Sequence, residues 1–286
     1  PLRLGRRQTL SHASALVIGE QAAKGGVRRY LDFTMRHLEV RGLSKVYVAA
    51  GTAHDAIELV AAHEREPAEY LRRLAELSAS LGRAPDTTLR DLALILTQAG
   101  REALVPRLQP APLDVPPPKG KKGGQSGQSG GGQSEAGKAG GAQAQSHLCD
   151  GAAAFKGDRM LRWLSGEETR GVLWVIGGFQ RTSITIEAPA KGEYLTMDVE
   201  RRRVKVSPQI GRGEVSIEIS VNAEADYKEQ TSTVPIHSDA DLTRMSRALS
   251  RAIQLEIERS LEIAQKQLKS DIFGLGERVR VALGSN

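Results

Sequence analysis

The sequence predicts an α+β fold in which an antiparallel β-sheet packs against a long C-terminal helix, preceded by a smaller α/β and helical region joined through a disordered linker. Three observations predict it. Val215, Ile217, Ile219 and Val221 alternate with Ser216, Glu218, Ser220 and Asn222, the period-two pattern of a half-buried strand. Leu242, Met245, Leu249, Ile253, Ile257, Leu261, Ala264, Leu268 and Ile272 recur every three or four residues, the stripe of an amphipathic helix. Between residues 109 and 148 the composition turns first Pro-rich and then Gly-, Ser- and Gln-rich, with almost nothing apolar to offset the entropy of ordering it. The organisation expected is therefore 1–108, a truncated N-terminal α/β region; 109–148, a flexible linker; and 149–286, a C-terminal α+β domain.

In the first region Ala15 to Ile18 reads as a buried strand. Val27, Leu31, Met35 and Leu38 share one face of a helix over 24–38, and Lys45 to Ala50 reads as a second strand, giving a β-α-β unit. Thr52 with Asp55 caps a helix running towards His63. Pro67 opens another that carries Leu71, Leu74, Leu77 and Leu81 up to Gly82. Thr88 with Asp91 opens a third, up to Gly100. Beyond the linker, Ala152 to Lys156 and Met160 to Leu164 flank the turn Lys156-Gly157-Asp158-Arg159. Ser165-Gly166-Glu167-Glu168 is a capping box that starts a helix closed by Gly177-Gly178. Strands follow over 183–188, 194–210 (broken at Pro208) and 214–225, with a hairpin at Gly211-Arg212-Gly213. Asp239 and Asp241 open the long helix.

Composition excludes several classes of function. The chain has 286 residues, and its net charge of +6 is spread thinly. Residues 149–286 balance, so no folded region is a phosphate-binding surface built on bulk charge. One cysteine, Cys149, excludes an intramolecular disulfide and a multi-Cys metal centre, and its place at the end of the tether suits a free thiol better than a nucleophile. No HExxH, GxGxxG or P-loop spacing is present, so neither a metal nor a nucleotide cofactor is expected. Glu167 and Glu168 are the one carboxylate pair with the look of an acid and base, but adjacent helical residues point about 100° apart. Two acids in a first turn are also what the helix dipole favours. The densest basic run, Arg201-Arg202-Arg203-Val204-Lys205, would put Arg201, Arg203 and Lys205 on one sheet face, opposite acids such as Glu218. The apolar runs are too short for a membrane-spanning helix.

The block Ala153-Ala154-Phe155-Lys156-Gly157-Asp158-Arg159-Met160, then Trp163-Leu164-Ser165-Gly166-Glu167-Glu168-Thr169-Arg170-Gly171 and Leu173-Trp174, resembles the C-terminal domain of the Ger(x)C proteins. These are the C subunits of bacterial spore germinant receptors. Lys269-Ser270-Asp271-Ile272-Phe273-Gly274-Leu275-Gly276-Glu277 is similar to that family's closing segment. Leu16-Val17-Ile18-Gly19-Glu20, Leu31-Asp32-Phe33 and Val48-Ala49 with Gly51 are similar to its preceding section. The resemblance implies a non-catalytic lipoprotein on the outer face of the spore inner membrane, working with germinant receptor A and B membrane subunits and without nucleic acid. Its lipidated Cys, and any signal peptide, are expected upstream of Pro1. Trp163, Glu167, Arg170 and Trp174 are the candidate interaction patch, because aromatic and Arg side chains supply interface hot spots. The competing expectation makes both Trp rings core and Ser165 to Glu168 merely a cap. The rival functions are a spore-envelope hydrolase using Glu167 and Glu168, and a polyanion-binding surface protein using Arg201 to Lys205.

Overall fold

A computed structural model describes residues 13–36, 41–112, 145–187, 194–211, 214–230 and 238–284. Strand β1 (Ala15–Gly19) runs into helix α1 (Glu20–Gly25), helix α2 (Arg28–Arg36) and strand β2 (Lys45–Ala49), and β1 and β2 pair in parallel from Ala15↔Lys45 to Gly19↔Ala49. The single helix expected over 24–38 is two helices. Gly26 turns the chain at φ +109°, and the Val27 amide donates to the Asp158 carbonyl at 2.8 Å, so a tertiary contact interrupts the helical periodicity. Val27 and Leu31 are buried as expected, while Leu38 lies outside the described residues.

The next three helices start where their caps predict. In α3 (Ala53–His63) the Thr52 hydroxyl accepts from the Asp55 amide at 3.1 Å. Helix α4 (Pro67–Ser80) begins on its proline, and α5 (Leu89–Thr97) carries the full Thr88–Asp91 box. Leu71 of α4 is buried, whereas Leu77 of the same expected face is exposed.

Strand β3 (Leu104–Pro112) follows, with prolines at 106, 110 and 112, the last two of which read in sequence as part of the linker. The sheet accepts them because β3 pairs with β2 through only Val48↔Arg107 and Ala49↔Leu108, and because its register with the next strand shifts between Pro106 and Leu108. A residue without an N–H fits where no ladder bond is required of it. Strand β4 (Gln145–Lys156) pairs antiparallel with β3 from Leu104↔Ala154 to Pro112↔Gln145, and β5 (Arg159–Leu164) closes the hairpin at Gly157. The sheet order is β1-β2-β3-β4-β5.

The linker expectation for 109–148 is thus corrected at both ends. Residues 109–112 and 145–148 are strand, and residues 113–144 fall outside the described ones. One sheet is built from both sides of that segment. Cys149, expected at a loose tether end, sits within β4 at 1% exposure, in a core shared with Tyr47, Val60, Leu71 and Leu108. Burial pushes its thiol up to about 12.

A second layer begins with α6 (Gly166–Ile176) and a three-stranded antiparallel sheet of β6 (Thr182–Glu187), β7 (Tyr194–Ile210) and β8 (Val215–Gln230), in the order β6-β7-β8. Pro208, expected to break β7, pairs with Ile217 instead. Strand β6 reaches only as far as Val199 on β7, so Pro208 has an open side where its missing donor does no harm. Helix α7 (Asp239–Glu262) covers the sheet with Met245, Leu249, Ile253 and Ile257, and Ser238 caps it in a box with Asp241. Leu242, expected in the buried stripe, is 58% exposed.

The helix expected to run to Ile272 widens into a π-helical turn over Ile263–Leu268 and ends at Lys269, which is left-handed at φ 47°. Ile272 is still buried, now on an irregular segment that clips the two layers together. The Ser270 hydroxyl donates to the Phe155 carbonyl at 2.5 Å, the Glu102 amide to the Asp271 carbonyl at 2.9 Å, and the Glu277 amide to the Gly100 carbonyl at 2.9 Å. Asp271 then accepts from the Leu275 and Gly276 amides and caps α8 (Leu275–Gly284), a helix beyond the last element read from the sequence.

Because Cys149 and Trp174 lie in different clusters of one body, their exposure is expected to be coupled. In urea, reaction of the Cys149 thiol with a disulfide reagent and the shift in Trp fluorescence should share one midpoint, with no reaction below it.

Candidate functional site

The later part of the sequence signature, from Ser165 to Trp174, lies on α6, which crosses α7. At the start of α6 the Ser165 hydroxyl accepts from the Glu168 amide at 3.2 Å, and the Glu168 carboxylate accepts from the Ser165 amide at 2.8 Å. The same carboxylate takes two bonds from Arg162, at 2.7 and 2.8 Å. Burial raises the Glu168 pKa, but the Ser165 amide and Arg162 outweigh that effect and hold the carboxyl below its usual range. It is an ionised cap, poorly suited to deliver a proton, whereas Glu167 is exposed to solvent.

One turn later the two helices touch. A Cβ at Gly171 would stand 2.1 Å from Ser260 Oγ and 2.4 Å from the Glu256 carbonyl oxygen, so only glycine allows this approach. Ser260 then donates to the Glu168 carbonyl at 2.8 Å. Beside it Arg170, 8% exposed, makes a two-pronged ion pair with Glu256, its Nε donating to Oε2 at 3.0 Å and its Nη2 to Oε1. Desolvation works against the Arg170 charge, and the Glu256 carboxylate more than restores it. Trp174, four residues on and 0% exposed, donates Nε1–H to the same Glu256 Oε2 at 3.0 Å. Its ring and that of Phe179 stand perpendicular with centroids 4.9 Å apart, and the Arg202 guanidinium of β7 lies 3.6 Å from the Phe179 ring centre. Glu256, Trp174, Phe179 and Arg202 therefore connect α7, α6 and β7 in one chain of contacts.

The four residues expected to form an interaction patch do not share a surface. Arg170 and Trp174 are together but inside, because positions i and i+4 of α6 both face α7. Trp163 is partly buried on the other core, under the Arg107 guanidinium at 4.9 Å. Glu167 alone faces water. Glu256 and Ser260, which complete the site, escaped the sequence reading: a lone Glu beside an aliphatic stripe looks like any solvated helix residue, and its partner is 86 positions away.

On the β7–β8 hairpin Arg201, Arg203 and Lys205 do share the outer face. Arg201 pairs with Glu224 at 3.3 Å. Glu218 is not their partner: it stands opposite Ser207 and accepts from Gln209 at 3.3 Å. Behind the hairpin an open groove of about 430 Å³ runs between the inner face of β8 and α7, floored by Ile217, Ile219, Val221, Leu249, Ile253 and Ile257. Among the described residues there is no group of three or more potential metal ligands, and no helix is long and apolar enough to cross a membrane.

Comparison with known proteins places these features in context. A family model described as "Spore germination protein N-terminal domain" matches residues 2–110, and one described as "Spore germination B3/ GerAC like, C-terminal" matches residues 150–282, which include the whole α6–α7 crossing. YfkR of Bacillus subtilis (strain 168) is 23% identical over 276 residues, covering 96% of this chain and 64% of YfkR. Spore germination protein KC of the same strain is 22% identical over 282 residues, covering 97% of this chain and 65% of the relative. The chain thus spans a little under two thirds of the length of those two proteins. The crystal structure of the GerBC protein shares the fold, with a TM-score of 0.67 at 18% identity over 98% of this chain and 73% of that one.

Removing one member of the buried ion pair leaves the other charge stranded. Glu256→Ala is expected to cost about 3–5 kcal/mol in urea unfolding. Gly171→Ala should cost about 1–3 kcal/mol by forcing the helices apart. A carboxylate whose native pKa lies below its unfolded value of about 4.3 stabilises the fold above that pH and ceases to as pH falls through its native range. Thermal melts between about pH 5 and pH 3 should therefore fall more steeply for the unsubstituted protein than for Glu168→Gln.

Proposed function

We propose that this chain, which belongs to the GerAC-like family of spore germination proteins, serves as the C subunit of a nutrient germinant receptor. The observation that carries the reading is the match of the family's N-terminal and C-terminal domain models, in chain order, on either side of residues 113–144. In this role the protein is a non-catalytic component held at the outer face of the spore inner membrane by the family's lipid anchor. It acts there beside the receptor's A and B membrane subunits.

The site chemistry is in keeping with such a part. Two charged residues of the signature block are spent on structural contacts: Glu168 caps α6 and pairs with Arg162 of β5, and Arg170 joins α6 to Glu256 of α7. The exposed outer face of the β7–β8 hairpin and the open groove behind it suit contact with another protein better than turnover of a small substrate.

The test is made in spores with the full-length protein. Deleting the gene should abolish the response to the nutrient read by its receptor, with restoration by the wild-type copy, and the tagged protein should co-purify with A and B subunits from spore membranes. Normal germination on every nutrient together with no co-purification would contradict the proposal.

A further inference from the structure

The outer edge of β8 is an unusual surface for a protein to leave open. Among the described residues β8 has one strand neighbour, β7, along an unbroken register from Ile210↔Val215 to Arg201↔Glu224. Both register shifts lie further along, beyond Arg201. Natural edges are protected against pairing by Lys, Pro, bulges or shortness. Between Val215 and Glu224 there is no Lys, no Pro and no bulge. The inner side chains of this stretch, Ile217, Ile219 and Val221, are only half-buried and floor the open groove against α7.

Charge then indicates what would fit. From Val215 to Asp226 the strand carries three carboxylates and no cation, Glu214 stands just before it, and Glu258 lines the α7 wall of the groove. Glu218 has a neutral partner, Gln209, and Glu224 meets Arg201 at 3.3 Å in a pair exposed to solvent on both sides. A strand added at this edge would lie about 4.8 Å from the acidic row of β8 and roughly twice as far from the cations of β7. At those distances the nearer carboxylates dominate, and salt screens the farther charges more.

We propose that the free edge of β8 takes up an extended segment of a partner protein in which apolar residues alternate with Lys or Arg. Its apolar side chains enter the groove beneath α7, its backbone continues the β6-β7-β8 sheet, and its cations face Glu218 and Glu224. This goes beyond the receptor-subunit reading, because the strand site is defined by β8 and α7 whatever assembly the protein joins.

The test uses the intact chain and two fluorescent eight-residue probes, one alternating Val with Lys and one alternating Val with Glu. The Lys probe should bind about tenfold more tightly than the Glu probe, as expected from two opposite-charge cross-strand pairs set against two like-charge ones. Hydrogen exchange should slow across residues 215–224 on binding. Glu218→Lys, on the solvent face where the fold is indifferent to it, should narrow or reverse the preference, and Ile219→Arg should remove binding of both probes. Equal binding of the two probes, no response to Glu218→Lys, or pairing of β8 with a second copy of the chain in sedimentation runs would each overturn the proposal. Because the peptide assay does not involve the receptor, its failure is distinct from a failure of co-purification in spores.

Discussion

A charge taken out of water has to meet its opposite, and in this protein that requirement fixes how the second layer is assembled. Arg170 and Glu256 come from helices far apart in the chain, and each is stable inside only where the other already is. Trp174 shares the same carboxylate, so the aromatic core and the ion pair demand one geometry. Gly171 removes the side chain that would keep the helices too far apart for the bond to form. Hydrophobic burial of the α7 stripe supplies most of the driving force, but it is non-directional and would tolerate other rotations of the helix. The polar contact selects one of them, and with it the face of α7 left towards β8.

The second constraint is the continuity of the five-stranded sheet across residues 113–144. Strands β3 and β4 stand on either side of that segment and pair with each other, so the regions before and after it fold as layers of one body. The C-terminal segment reinforces this with hydrogen bonds from Ser270 to β4 and between Asp271 and Glu102. From this base the β7–β8 hairpin extends past the end of β6, and β8, last in the order β6-β7-β8, has no further strand neighbour among the described residues. Rigid support beneath an open edge is an arrangement suited to recognising another chain.

Local signals were readable in the sequence wherever a few neighbouring residues decide the outcome. The boxes at Thr88, Ser165 and Ser238 start their helices, because a hydroxyl and a carboxylate three residues apart satisfy each other's amides with no help from elsewhere. The alternation along 215–221 gave β8 for the same reason. Readings failed where a distant partner decided. Gly26 breaks a good helical pattern because the Asp158 loop binds there, and β3 exists despite its prolines because β4 supplies the pairing. For Trp163 and Trp174 the sequence leaves open a surface patch or the core, and the core expectation holds for Trp174, covered by a helix some 80 residues away, while Trp163 is partly buried. The signature block marks the family, and within it Arg170, Gly171 and Trp174 pack α6 against α7.

The most direct test of this account is a double-mutant cycle on Arg170 and Glu256, using Arg170→Met, Glu256→Leu and the pair together, followed by urea unfolding. If the ion pair governs the crossing, each single variant is strongly destabilised while the double variant recovers much of the loss, a coupling of about 2 kcal/mol or more. A coupling below about 0.5 kcal/mol, with the two losses simply adding, would contradict it.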